Sequence, residues 1–275
     1  MVAFCYRRIS KWKQGDPKHV SVFFKNMHLH AVFGAAIGAG LRNLRLANTG
    51  RFPSVNDHRF GFLGKIIKDR NIVLNKFKSS FRILEPMPEN RFIGIDFSSK
   101  RAGTTAIAFV DEGELHVLQS IKGEDADKFI RNYVQAYKAN FVFIDAPLSL
   151  PQGLNDPESL EVFYRAADRK LQAMSPMFLG GLTSRAMLLK KTLELEKHKV
   201  FEVYPKALVE ELQLKEHYKH DLLLFQKELQ QLTPPLPELR NWHQADAVLA
   251  WLSGSRFMQG DASVYGDETE GVIYV

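Results

Sequence analysis

Apolar and polar positions fall into a regular order only from Arg91 onward. Phe92–Asp96 is a short β-rich run that ends on an acid, and it predicts a first strand. A second run, Thr104–Val110, follows Gly103. A third, Leu115–Ile121, follows the turn Asp111-Glu112-Gly113-Glu114. Glycine between alternating runs is a hairpin signal, so these three strands should form an antiparallel meander. Phe129, Ile130, Tyr133, Val134 and Tyr137 then recur at spacings of three and four, which predicts a helix over 124–139. Phe141–Ile144 is continuously apolar, as expected of a strand in the middle of a sheet.

Pro147 and Pro151 break the chain after Asp145. Asp156-Pro157 has the form of a helix cap and first turn, predicting a helix to about Ala173. Gly180-Gly181 reads as a loop, and Thr183 or Ser184 as the cap of a helix through His198. Lys199–Tyr204 reads as a fifth strand, halted by Pro205. Helices are expected over 206–213, 217–231 and 242–252, with Thr233–Pro237 as a rigid linker and a strand-like finish over 271–275. No internal repeat is present. The order predicts an α/β fold, a mixed five-stranded sheet with helices on both faces.

Composition narrows the class. Hydrophobic residues at 45% and charged residues at 25% suit a soluble globular protein. The single cysteine, Cys5, excludes an intramolecular disulfide framework and a multi-cysteine zinc site, and points to a reducing, cytoplasmic setting. Charge is unevenly spread. Residues 1–90 hold 16 Lys+Arg against 5 Asp+Glu, a balance of +11, which leaves −5 for 91–275 and +6 for the whole. A basic arm of this kind suits nucleic acid or another anionic surface. Its most apolar part, His28–Leu41, is too short and glycine-rich for a membrane span, so no membrane partner is expected. Met87-Pro-Glu-Asn-Arg looks like a natural start. Residues 1–86 therefore read as a basic N-terminal extension, disordered or upstream of the true start, and 87–275 as the folded domain.

Three acids stand out at element ends. Asp96 closes the first strand, Asp145 closes the fourth, and Asp246 sits on the last helix. Two carboxylates ~5 Å apart at an effective dielectric near ~20 repel by about 3 kcal/mol, so a converging trio calls for a cation, a proton or a basic partner. Mg²⁺ or Mn²⁺ suits such oxygen ligands. Arg165, Arg169, Arg185 and Lys100 are candidate basic partners. Glu202 on the fifth strand and Asp168 on a helix are candidates to complete the shell, Glu202 also as a general base. Arg165 and Arg169, four apart, are expected on one helix face and suited to gripping phosphate, with Lys206 near the same cleft. Each acid also has a plain reading as a turn cap or an ion-pair member.

The strand and helix order is that of the ribonuclease-H-like fold. Gly94-Ile-Asp96, Phe143-Ile-Asp-Ala-Pro-Leu148-Ser-Leu-Pro151, Arg165-Ala-Ala-Asp-Arg169, Glu202-Val-Tyr-Pro-Lys206, Asp246-Ala-Val, Tyr265-Gly and Glu270-Gly-Val-Ile resemble the domain of unknown function family numbered 429 over about 91–275. That family is regarded as predicted nucleases of the ribonuclease-H-like superfamily. The resemblance implies a metal-dependent nuclease or phosphodiesterase, with Asp96, Asp145 and Asp246 holding Mg²⁺ or Mn²⁺. Two rivals remain open. One is a nucleotide-binding protein of the actin and sugar-kinase fold; the other is a non-catalytic binding module on a nuclease fold. The His217 and His220 region lacks the spacing of a zinc protease, and no phosphate-cradling glycine loop is present.

Overall fold

Why the strands begin and end where they do is settled by their partners. The computed structural model describes residues 90–156 and 158–275. The expected extension 1–86 lies outside the described residues. Seven strands form one mixed sheet: β1 (Phe92–Asp96), β2 (Ala106–Asp111), β3 (Glu114–Gln119), β4 (Phe141–Asp145), β5 (Lys199–Val203), β6 (Val264–Asp267) and β7 (Gly271–Tyr274). The order across the sheet is β3-β2-β1-β4-β5-β7-β6. The meander β1-β2-β3 is antiparallel, β1-β4-β5-β7 run parallel, and β6 returns antiparallel on β7. The sequence predicted five strands. The two further strands are the C-terminal hairpin: β7 is the strand-like finish expected over 271–275, while β6 is only four residues long and largely exposed, so no core face marks it as a strand.

Side chains alternate across the sheet. Ile93, Ile95, Val142 and Ile144 face one layer, made by α1 (Ala126–Tyr137) and α4 (Gly181–Leu195). Asp125 caps α1 by accepting from the Asp127 and Lys128 amides. Gly94 faces the opposite layer, made by α7 (Trp242–Gln259), which lies across β1, β2 and β4. A Cβ at Gly94 would stand 2.1 Å from the Trp251 amide nitrogen, so only glycine lets β1 and α7 approach this closely. Among the described residues no helix is long and apolar enough to cross a membrane.

Several predicted helices take other bounds. The helix expected over 156–173 is confined to α2 (Ala166–Leu171). Upstream, a 3₁₀ turn at Gln152–Leu154 gives way to loops in which Asp156, Ser159 and Glu161 accept from nearby backbone amides. Such local bonds offer the backbone an alternative to helix. A short α3 (Pro176–Leu179), capped by Ser175, turns at Gly180 directly into α4, so neither Thr183 nor Ser184 is a cap. Residues α5 (Pro205–Glu211) and α6 (Leu222–Leu229) follow. The helix expected from His217 starts only at Leu222, because Asp221 caps it by accepting from the Leu224 amide. The last helix runs on past Leu252 to Gln259.

Candidate functional site

Asp96 and Asp145 end neighbouring parallel strands and are direct register partners. Equal register on parallel strands sends both side chains to the same face, the one covered by α7. Asn241 caps α7 by accepting from the Gln244 amide, and Asp246 follows in the second turn, buried. Asp96 and Asp145 thus stand side by side, and Asp246 on α7 is near enough for its charge to raise both. A cavity of about 240 Å³ opens at these strand ends, lined among others by Asp96, Asp145, Asp168, Glu202 and Tyr204.

The three acids have different partners. His243, one turn before Asp246, places Nδ1 2.8 Å from Asp96 Oδ2. Asp246 accepts from the Tyr218 hydroxyl at 2.9 Å and from Lys219 Nζ at 2.5 Å. The Asp145 carboxylate makes no hydrogen bond with any described residue. Burial, then the nearby Asp96 and Asp246 charges, raises the Asp145 carboxyl well above the usual range. Burial also raises Asp96, with the His243 hydrogen bond pulling it down and Asp246 pushing it up. The bond to Asp96 raises His243, against partial burial. Burial, with Asp145 nearby, pushes the Tyr204 phenol up to about 12.

Glu202 and Asp168 do not join the trio. Ile144 is the register partner of Glu202, so Glu202 points away from α7, on the face opposite Asp96 and Asp145. It meets Arg165 through two bonds, Nη1 to Oε2 at 2.8 Å and Nη2 to Oε1 at 2.6 Å, and accepts from the Leu148 amide. Asp168 takes Arg165 Nε at 3.0 Å and Nη2 at 2.7 Å. Ser149 Oγ takes the remaining Nη1 donor at 2.7 Å. All five guanidinium N–H groups of Arg165 are engaged, and the residue is 1% exposed. That leaves no donor for a phosphate. Arg165 stands at the N-cap of α2 while Arg169 lies within the helix, so the expected shared face does not form. Arg169 is 58% exposed, pairs with Glu161 and lies over the Tyr164 ring. Lys206 is exposed in the first turn of α5.

The basic residues beside the trio are therefore ones the sequence did not single out. Lys100 pairs with Asp125 and Asp127, and Arg185 with Asp127. Lys219 and His243 occupy the role instead. Lys219 sits in an irregular turn over 215–220, far from all three acids along the chain except through folding, and no local pattern announces it.

Among the described residues, no group of three or more His, Cys, Asp or Glu side chains is arranged so that it could hold a metal ion. Asp145 has no hydrogen-bond donor among the described residues and is raised by Asp96 and Asp246, and carboxylate oxygens of this kind suit a hard divalent ion. No protein-family model matches the chain, and no curated protein does.

Proposed function

We propose that the chain is a metal-dependent phosphodiesterase acting on nucleic acid, with a ribonuclease-H-like sheet as its scaffold. The observation that carries this reading is the in-register pair Asp96–Asp145, with the Asp246 charge on α7 close enough to raise both. The strand order β3-β2-β1-β4-β5, with an antiparallel meander leading into parallel strands, is compatible with this scaffold. The basic balance of residues 1–90 supports a polyanionic substrate.

In this reading Asp96, Asp145 and Asp246 hold Mg²⁺ or Mn²⁺. A divalent ion held there would activate water and stabilise charge on the departing oxygen. The chain's own contributions are separate. His243 orients Asp96 through Nδ1. Tyr218 fixes Asp246 Oδ1. The Arg165 cluster ties the loop after Asp145 to β5 through Glu202 and the Leu148 amide, which holds Asp145 at its level in the sheet. Glu202 and Asp168 support the site through Arg165.

A second reading is favoured by one observation. Lys219 and His243 already offset the charge of Asp246 and Asp96, as they would in a non-catalytic module. The nucleotide-binding alternative fits less well, since a cavity of about 240 Å³ falls below the usual range for such ligands, roughly 300–1,000 Å³. The test uses the full chain with Mn²⁺ on labelled single- and double-stranded DNA and RNA. Cleavage by the wild type and none by folded Asp145→Asn is expected. Equal cleavage by the mutant, or none by the wild type on every substrate, sinks the assignment.

A further inference from the structure

We propose that Lys219 is a built-in place-holder for the divalent ion at Asp246, which the metal must displace in order to bind. The inference rests on the metal reading above and names the residue that regulates the same site.

Lys219 Nζ lies 2.5 Å from Asp246 Oδ2, while the Tyr218 hydroxyl occupies Oδ1. Both oxygens of the acid are thus in use. A dication coordinated by Oδ2 and an ammonium at hydrogen-bond distance from the same atom would repel each other strongly. One of them has to leave.

The lysine is built to leave. Its side chain is 44% exposed, against 9% for Asp246, so water can take up its charge at little cost. It belongs to the turn over 215–220, outside any helix, and its backbone is in the left-handed region at φ 63°. Its ammonium also lies 5.1 Å from the Tyr218 ring and 5.5 Å from the Trp242 ring. These aromatic faces give the cation a resting place beside the acid.

The centre also favours exchange. Lys219 serves Asp246 and His243 serves Asp96, while among the described residues the Asp145 carboxylate has no donor of its own. A dication brings twice the charge of the lysine to acids that already raise one another. Without metal, Lys219 relieves the repulsion around Asp246. With metal, it withdraws to the mouth of the site.

The experiment is a calorimetric Mn²⁺ titration of the full chain and of Lys219→Met, which keeps the apolar stem, with thermal melts to establish folding. If the lysine-occupied form outweighs the open one by about ten to one, removing the lysine tightens apparent Mn²⁺ affinity about tenfold. A second readout needs no mutant: amine acetylation followed by mass spectrometry should show Lys219 reacting faster in saturating Mn²⁺, with the exposed Lys215 as internal reference. Mn²⁺ binding that is unchanged or weaker in Lys219→Met, or Lys219 reactivity that stays level with metal, overturns the place-holder and leaves the metal reading standing. Folded proteins that both ignore Mn²⁺ overturn the two together.

Discussion

Arg165 and Glu202 face each other through two parallel hydrogen bonds, with side chains only 1% and 6% exposed. Removing one partner of such a pair strands the other charge without water. Arg165→Met is therefore expected to cost about 3–5 kcal/mol, because it leaves both Glu202 and Asp168 uncompensated. Arg165→Lys should recover little of it, since an ammonium cannot reproduce the fork that reaches two carboxylates and Ser149 at once. Denaturant unfolding reads both variants. A loss confined to substrate affinity, with stability intact, would return Arg165 to the role of a phosphate ligand.

Asp145 should destabilise the metal-free protein as the solution becomes less acidic. Its carboxyl is raised in the folded state, first by burial and then by Asp96 and Asp246. The folded protein therefore holds this proton at pH values where the unfolded chain, near its ordinary value of about 3.9, has released it. Stability falls as pH rises from that value toward the raised one. In EDTA, Asp145→Asn should melt above the wild type at neutral pH, and the gap should close below about pH 4. Parallel curves across this range would contradict the assigned environment.

His243 should titrate above an ordinary histidine, because Asp96 accepts from its ring when the ring is charged. Its contribution to stability is full below the unfolded value of about 6.5 and is lost as pH rises through the folded one. Imidazole NMR titration in EDTA should show the value dropping in Asp96→Asn. No change on that substitution would mean the two side chains are not bonded in solution.

Gly94→Ala tests the contact on which the roof of the site depends. The added carbon would meet the Trp251 nitrogen at 2.1 Å and the Ala247 carbonyl at 2.7 Å, both backbone atoms that cannot swing aside. The cost should reach or pass the upper end of about 1–3 kcal/mol for overpacking. Thermal unfolding checks it, and a melting temperature equal to the wild type would show that α7 stands further from β1.

The legible parts were those with a local cause. Phe92–Asp96 matches the expected strand end for end, because an apolar run and its closing acid coincide with the pairing to Phe141–Asp145. The neighbouring Asp96 and Asp145 were readable for the same reason. The far half of α7 was not. From Gln244 to Arg256 every residue is buried, so no polar face remains to produce a helical period, and Ser253-Gly254-Ser255 looks like a loop. Gly254 is there because the Phe143 ring comes within 2.4 Å of where its Cβ would be. Lys219 was invisible because its partner Asp246 lies 27 residues away. Which reading of Glu202 its surroundings favour was not legible, because the face of β5 on which it falls depends on register with β4, which only the pairing Ile144↔Glu202 fixes.

The level pairing of Asp96 with Asp145 has a consequence for how errors show themselves. A slip of one residue between β1 and β4 would turn an acid toward α1 and α4 and lift Ile93 and Ile95 out of their layer. The acidic end of the sheet and its oily interior are thus set by a single alignment. A molecule with that alignment wrong would fail as a folded object, so the population that survives folding arrives with these two acids already side by side.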